Sequence, residues 1–363
     1  MVVIDGSKHS GSGTIVRYAV ALAALLREPV RLINVRHSRT QPGLRPQHVA
    51  SVRACAQLSG AVTNGVQVDS REFTFTPGER ISGGTFEWNI GTAGSTTMLA
   101  LSVLPLACFA DSPIRARIEG GVFQDFAPAP HHLREVLAPL LRRMGVKIDV
   151  TVVRPGYVPG GAGILEITVT PAERGLIGLT LVDPGEVHQV HGIALASRLA
   201  ERRVSERMAA TCETALGAAH LACDIERMHD MEARHPGANL TIWAESSSGC
   251  RFGADRAGAY GRTSEAIGEF VARTFLADLR SGATVDRHLA DQLVLFAALA
   301  HGRSGYTVPE VTAHVLSNVW LVRQFGATVS MASKSVTVDG INLKVLPRRT
   351  SWLNISMSRE GAW

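Results

Sequence analysis

The chain has 363 residues, 45% apolar and 19% charged, with a net charge of +5. That composition excludes a disordered or fibrous protein, and no apolar run reaches the ~18 residues that a membrane helix needs. The mild basic excess permits an anionic partner without identifying one.

The chain opens Met-Val-Val-Ile-Asp-Gly, too short and too soon acidic for a signal peptide. The five cysteines are scattered, with no C-x-x-C pair. They predict free thiols in a reducing, cytoplasmic setting rather than a disulfide frame or a zinc site.

In chain order, a first unit is predicted from strand Val2–Ile4, a glycine-rich loop Asp5–Gly13, helix Thr14–Leu26 and strand Val30–Val35. It continues with a helix from Gln47, stopped by Gly60, then strands at Ala61–Thr63 and Glu72–Thr76. A second unit repeats the order. It has strand Thr85–Ile90, loop Gly91–Ser95, helix Thr96–Phe109, strand Ile114–Glu119, a helix from His132 stopped by Gly145, and strands Val146–Val153 and Ile164–Val169.

A third unit starts with strand Leu176–Leu181 and resumes at helix Leu289–Ala300 and strand Gly305–Val308. Its second helix ends at Gly326, with Pro309 and Glu310 placed in the first turn. Val311, Val315, Val319 and Val322 form its buried stripe. Strands Ala327–Met331 and Ser335–Val338 complete it.

The glycine stops fix an insertion. Gly60 to Gly145 is 85 residues and Gly145 to Gly326 is 181, an excess of 96, which is the size of a small domain. The expected fold is therefore α/β: three βαβαββ repeats in a pseudo-threefold arrangement, with a small α/β domain inserted in the third. The large unit spans residues 1–184 and 282–363, and the insert spans 185–281. Within the insert, Gly192–Met208 and Ala209–Ala222 read as helix, Ala238–Glu245 as strand and Arg262–Leu279 as helix.

Several stretches carry chemistry. His314 sits near the positive end of its helix, which disfavours imidazolium and leaves a neutral, nucleophilic ring. Position alone favours a satisfied, half-buried helix histidine, and the residues around it shift the balance. The loops Asp5–Gly13 and Gly91–Ser95 could present backbone N–H groups to a phosphate or simply make turns. Arg31, Arg36, His37, Arg39 and Arg45 form a basic cluster suited to phosphate oxygens, or a solvated strand end. Asp291 and Gln292 are polar on an otherwise apolar helix, and such pairs usually make structural bonds. His188 and His191 lack an acidic partner at metal-site spacing and read as structural.

Taken together the motifs resemble the RNA 3′-terminal phosphate cyclase family. The matching segments are Asp5-Gly-Ser with Gly11-x-Gly13 and Arg17, and Val35-Arg36-x-x-Arg39-x-x-Pro-Gly-Leu-x-x-Gln47-His48. Further on come Ile90-Gly-Thr-Ala-Gly94-Ser95, Val103-Leu-Pro, Gly120-Gly121 with Ala127-Pro128, and Pro159-Gly-Gly-Ala-Gly163. Leu289-Ala-Asp291-Gln292-Leu-Val-Leu and Val311-Thr-Ala-His314-x-Leu-x-Asn318-Val close the series, in family order along nearly the whole chain.

The resemblance implies ATP-dependent closure of an RNA 3′ end to a 2′,3′-cyclic phosphate through AMP carried on His314, with magnesium or manganese as the divalent metal. It implies that Arg17, Arg36, Arg39 and Gln47 hold the RNA terminal phosphate. Asp291, Gln292, Pro128, Gly94 and the Pro236-Gly237 loop would line the nucleotide pocket, with His288 where the family has a stacking tyrosine. RNA and ATP are thus the implied partners, and no membrane is implied.

The chain also departs from the family pattern. Ser10 replaces a metal-binding glutamate, Thr14 and Leu101 replace glutamines, and Val122-Phe123-Gln124 replaces a Thr-Asp/Asn motif. His235-Pro236-Gly237 stands for Gly-Pro-Gly. A catalytically altered RNA-binding relative, or a nucleotidyl transferase with another acceptor, therefore stays open. Enolpyruvyl transferases have similar repeats, but six in two domains.

Overall fold

In the computed structural model, residues 1–344 are described; residues 345–363, the end of the expected large unit, lie outside the described residues. The first repeat is β1 (Val2–Asp5), α1 (Gly13–Leu26), β2 (Val30–Ile33), α2 (Pro46–Ser59), β3 (Val62–Asn64) and β4 (Phe73–Thr76). Its sheet runs β1-β2-β4-β3, with β1 and β2 parallel and the rest antiparallel.

The second repeat has β5 (Gly84–Asn89), α3 (Thr96–Ala107) and β6 (Ile114–Gly120). Then α4 (Pro130–His132) passes through a π-helical turn (Leu133–Leu137) into α5 (Ala138–Arg143), followed by β7 (Lys147–Arg154) and β8 (Gly163–Thr170). The sheet order, β5-β6-β8-β7, is that of the first repeat.

The π turn has a local cause. Pro139 lacks an N–H and its ring crowds the carbonyl one turn earlier, that of Glu135. The wider turn lets Ala138 N bond Leu133 O, and the Glu135 carbonyl accepts from Arg251 Nη1 at 3.4 Å instead.

Within the third repeat, between Leu181 and Leu289, lies the expected insert. It contains β9 (Gln189–Ser197), a 3₁₀ turn (Ala200–Arg202), α6 (Val204–Gly217), β10 (Ala222–Asp230), β11 (Gly237–Glu245), β12 (Arg251–Ala257) and α7 (Ser264–Arg280). Its sheet runs β10-β9-β11-β12. The expected helix over Gly192–Met208 is thus corrected. Gln189–Ser197 is a strand paired on both sides, to β10 in parallel and β11 antiparallel, and helix begins only at Val204.

The third repeat has α8 (Leu289–Leu299), β13 (Arg303–Thr307), α9 (Ala313–Gln324), β14 (Thr328–Ala332) and β15 (Ser335–Asp339), in sheet order β13-β15-β14. Two expectations fail here. Leu176–Leu181 forms no full strand, only parallel bridges Ile177 to His301 and Thr180 to Gly305. The last helix starts at Ala313, not Pro309, because the Thr312 hydroxyl caps it by accepting from Val315 N at 3.2 Å. That leaves Val311 only half-buried, while Val315, Val319 and Val322 are buried as expected.

The three repeats close on one apolar core. α1 is buried from Gly13 to Leu25 and packs against α2, α3 and α9, so helices of all three repeats meet on it. Each of its fully buried Ile15, Val16 and Leu22 side chains contributes about 1.5–3 kcal/mol of transfer free energy. Among the described residues no helix is long and apolar enough to cross a membrane. All five cysteines are free thiols, as expected.

Asp286, just before α8, ties three parts of the chain. It accepts from His132 Nε2 of α4 (2.9 Å), Gly253 N of β12 (2.8 Å), and His288 N and Leu289 N of its own segment (both 2.8 Å). The side chains of Asp286 and His132 are both fully buried. Burial would push the His132 pKa down, but the facing carboxylate outweighs it and holds it above the ordinary value. Burial likewise pushes the Asp286 carboxyl up, and the His132 ring brings it below the usual range.

Removing one member leaves the other buried and uncompensated. Asp286→Ala is expected to lower unfolding free energy by about 3–5 kcal/mol in a urea titration. A loss under ~1 kcal/mol would show that these contacts do not hold the repeats together.

Candidate functional site

The site begins at the entry to α1. Ser12 caps the helix, its hydroxyl accepting from Thr14 N at 3.3 Å. Gly13 has no alternative, because a Cβ there would lie 2.1 Å from His48 Nε2. One turn on, Arg17 is 4% exposed, and among the described residues it forms no ion pair. Its Nη2 donates to Thr14 Oγ1 at 3.3 Å. Burial lowers its pKa to about 10, offset in part by Tyr18 and Asp291, so it remains a cation at neutral pH. A cation held this way is costly unless an anion completes it.

The loop after β2 supplies two more arginines. Arg36 adopts φ +53° and donates through Nη1 to Gln41 O (2.7 Å) and Gly43 O (2.8 Å). Arg39 stands exposed beside it. The other two arginines of the basic cluster are spent elsewhere: Arg31 pairs with Glu72 and Arg45 with Asp69, at 2.8 and 2.7 Å.

At the start of α2, the buried His48 accepts from Arg45 N through Nδ1 at 3.0 Å, so its proton sits on Nε2. Burial, with Arg17, Arg36 and Arg45 nearby, holds it neutral, its pKa well below the ordinary value. Gln47 Oε1 accepts from Ser95 N at 3.1 Å, which leaves its amide hydrogens for a ligand. Gly94 permits that approach, since a Cβ there would meet Gln47 Cβ at 2.9 Å.

The third repeat closes the site. His314 lies in the first turn of α9, half-buried, its Nδ1 3.4 Å from Thr14 Oγ1 and 3.5 Å from Ser12 Oγ. Ser317, one turn on, accepts from Ser10 N at 3.1 Å and shares a 2.7 Å bond with Ser10 Oγ. The first loop is thus laced to the histidine's helix by hydroxyls. Burial lowers the His314 pKa, reinforced by the positive charges of Arg39 and Arg17. The ring is neutral at pH 7 for that reason, with the helix N-terminus acting in the same direction.

These groups line one cavity of about 420 Å³, from Ser12, Thr14, Arg17, Arg36, Arg39, Gln47, His48 and His314 on one side to Gln124–Ala127 on the other. His314 and all four residues expected at the RNA phosphate are therefore together. Gln124, with its amide oriented to satisfy both neighbours, accepts at 2.9 Å from the same Ser95 N–H that Gln47 shares, and donates to Ala93 O at 3.2 Å.

The residues expected around the nucleotide are more dispersed. Pro128 is buried just beyond Ala127 of the cavity wall. Asp291 is half-buried behind the wall, where Asn318 Nδ2 donates to its backbone carbonyl at 2.8 Å. Burial, opposed by Arg17, raises its carboxyl pKa to about 7. Gln292 is buried with an unpartnered Oε1. His288 stacks edge-on against His132 and lies 4.0 Å from Asp255. Burial, then the nearby His132, lowers its pKa to about 4. Pro236 and Gly237 line a separate cavity in the insert.

The sequence reading missed Gln124, Asp125 and Phe126 as cavity wall. It also gave Thr14 no role, although Thr14 bridges Arg17 and His314. Helical spacing of Thr14 and Arg17 was the available signal.

The expected divalent-metal site does not fit these residues. Ser10, at the expected carboxylate position, is engaged with Ser12 and Ser317, and no cluster of three acidic, histidine or cysteine groups occurs among the described residues.

Comparisons with known proteins follow the same pattern as the motifs. A family model described as RNA 3′-terminal phosphate cyclase matches residues 8–331. A protein named RNA 3′-terminal phosphate cyclase from Caldivirga maquilingensis is 38% identical over 330 residues, 90% of this chain and 92% of that one. One of the same name from Methanopyrus kandleri is 37% identical over 331 residues, 90% of this chain and 93% of its own length. Among solved structures, the enolpyruvyl transferase NikO from Streptomyces tendae aligns with a TM-score of 0.41 at 14% identity, covering 96% of this chain and 50% of that one.

The pH dependence of the site follows from its charges. A nucleophilic His314 acts only as the neutral ring, so its reactivity rises with pH through its folded pKa and then levels. Because that pKa lies below 6.5, stopped-flow labelling of His314 with diethyl pyrocarbonate should show a midpoint below 6.5, moving upward in Arg39→Gln. A midpoint above 6.5 in the unaltered protein would contradict the assignment of charges.

Proposed function

The chain belongs to the RNA 3′-terminal phosphate cyclase family, and from that premise we propose that it uses ATP to convert an RNA 3′-terminal phosphate to a 2′,3′-cyclic phosphate through AMP carried on His314. The observation that carries this reading is the cavity itself. It holds two neutral imidazoles, His314 and His48, together with three arginines, of which Arg17 is buried with no carboxylate at ion-pair distance among the described residues.

The hydroxyls of Thr14 and Ser12 lie on the Nδ1 side of His314, and the proposed mechanism assigns the ring proton to that nitrogen. Nε2 keeps its lone pair and attacks the α-phosphorus of ATP. A P–N bond forms as the bond to pyrophosphate breaks. Thr14 then stabilises the positive ring through Nδ1, while Arg17 is oriented on the same hydroxyl.

An oxygen of the RNA 3′-phosphate attacks the bound AMP next. The P–N bond breaks, and the lone pair returns to His314. Arg17, Arg36, Arg39 and the free amide of Gln47 place that phosphate without reading sequence. The neighbouring 2′-hydroxyl closes on the activated phosphorus, its proton goes to solvent, and AMP departs.

We assign the nucleoside to the region of Pro128, His288, Asp291 and Gln292, none of which lines the His314 cavity itself. Magnesium or manganese would enter on the phosphates of ATP. The chain's own contribution at Ser10 is neutral hydroxyls, and no step here depends on a protein-held cation. The five free thiols suit a reducing compartment, and we place the enzyme in the cytoplasm.

Incubation with ATP labelled on the α-phosphate should leave acid-labile label on the protein, and none on His314→Ala. Thr14→Val should slow labelling about 10- to 100-fold, the value of one positioning hydrogen bond to a developing charge. Label retained in His314→Ala would contradict the mechanism. Full RNA binding with no label on any variant would instead identify an RNA-binding relative without the chemistry.

A further inference from the structure

We propose that the cavity in the insert is a second RNA site, taking the single-stranded nucleotides just upstream of the terminal phosphate. The proposal rests on the reading of the His314 cavity as the site of the RNA end, and it assigns the insert a part in substrate binding.

The second cavity, about 490 Å³, lies where β11 and β12 meet the start of α7 and the loop at Tyr157. It shares no lining residue with the cavity at His314, so a mononucleotide bound there would leave it open. The two adjoin nevertheless. Asp125 lines the first, Arg262 lines the second, and the two are joined by bonds of 3.1 and 2.7 Å.

Its chemistry fits a nucleic-acid strand. No carboxylate lines it. Arg207 is taken up by Glu265 and Arg262 by Asp125. Arg202 is exposed and forms no ion pair among the described residues. The N-terminus of α7, capped by Thr263, opens into the same space and adds positive potential.

Two aromatic rings stand in solvent along the route. Tyr260 is fully exposed at the second cavity, and Phe126, held at φ +66°, is fully exposed at the rim of the first. Base stacking on such rings, combined with a cationic groove, is how single strands are held without sequence preference.

Fluorescence anisotropy on the full-length protein tests this with 3′-phosphorylated single strands, a dinucleotide against an oligomer of about eight nucleotides. The longer strand should bind about tenfold tighter, at constant salt. The double variant Tyr260→Ala with Arg202→Ala should erase that gain. It should keep wild-type affinity for the dinucleotide and wild-type adenylation of His314, which also reports that it is folded. Equal affinity for both lengths in the unaltered protein, or an undiminished length gain in the variant, would overturn the proposal. Absence of adenylation in the unaltered protein would strike the chemistry proposed for His314 and leave the length gain still measurable.

Discussion

The site depends on one meeting of distant chain segments. Hydroxyls from the loop that opens the chain reach Nδ1 of a histidine 300 residues away, and a second hydroxyl pair, Ser10 with Ser317, fixes the same approach. Neither contact is strong alone. What makes them reliable is the packing beneath, where α1 lies buried against α9 as well as α2 and α3. Hydrogen-bond geometry at the surface of a rigid core is reproducible, and the direction of the imidazole follows from it.

Charge in the cavity follows the same logic in reverse. Where the repeats and insert are held together, a buried charge is fully answered: Asp286 accepts four hydrogen bonds, one from the ring of His132. In the cavity proposed for the phosphate, charge is only partly answered. Arg17 keeps one hydroxyl partner, and Arg36 donates only to backbone carbonyls. The protein tolerates these exposed demands because the surrounding core is extensive, and an incoming phosphate removes the cost.

The repeat architecture was legible because it rests on local signals. Gly60, Gly145 and Gly326 all adopt positive φ after their helices, so the stops that set the spacing were real. The insert was less legible. The stretch from Gly192 to Ala196 is rich in small and apolar residues that suit a helix, and pairing with β10 and β11 overrides that preference. Pro309 misled for a similar reason, because the cap at Thr312 depends on a single hydroxyl. Within the site, the sequence singled out His314 and arginines that share one cavity but could not tell which arginines were free. The partners of Arg31 and Arg45 lie 41 and 24 residues along the chain. Helical spacing shows the Thr14–Arg17 half of the bridge, but the half that reaches His314 lies 300 residues away and no spacing shows it.

The central claim is that Nδ1 is occupied by the first loop and that Nε2 therefore takes the nucleotide. A crystal structure of the protein after reaction with ATP tests it directly. The account predicts phosphorus bonded to Nε2 of His314, with Thr14 still on Nδ1 and Arg17 directed at the bound AMP. Phosphorus on Nδ1, or a nucleotide seated away from this ring, would contradict it.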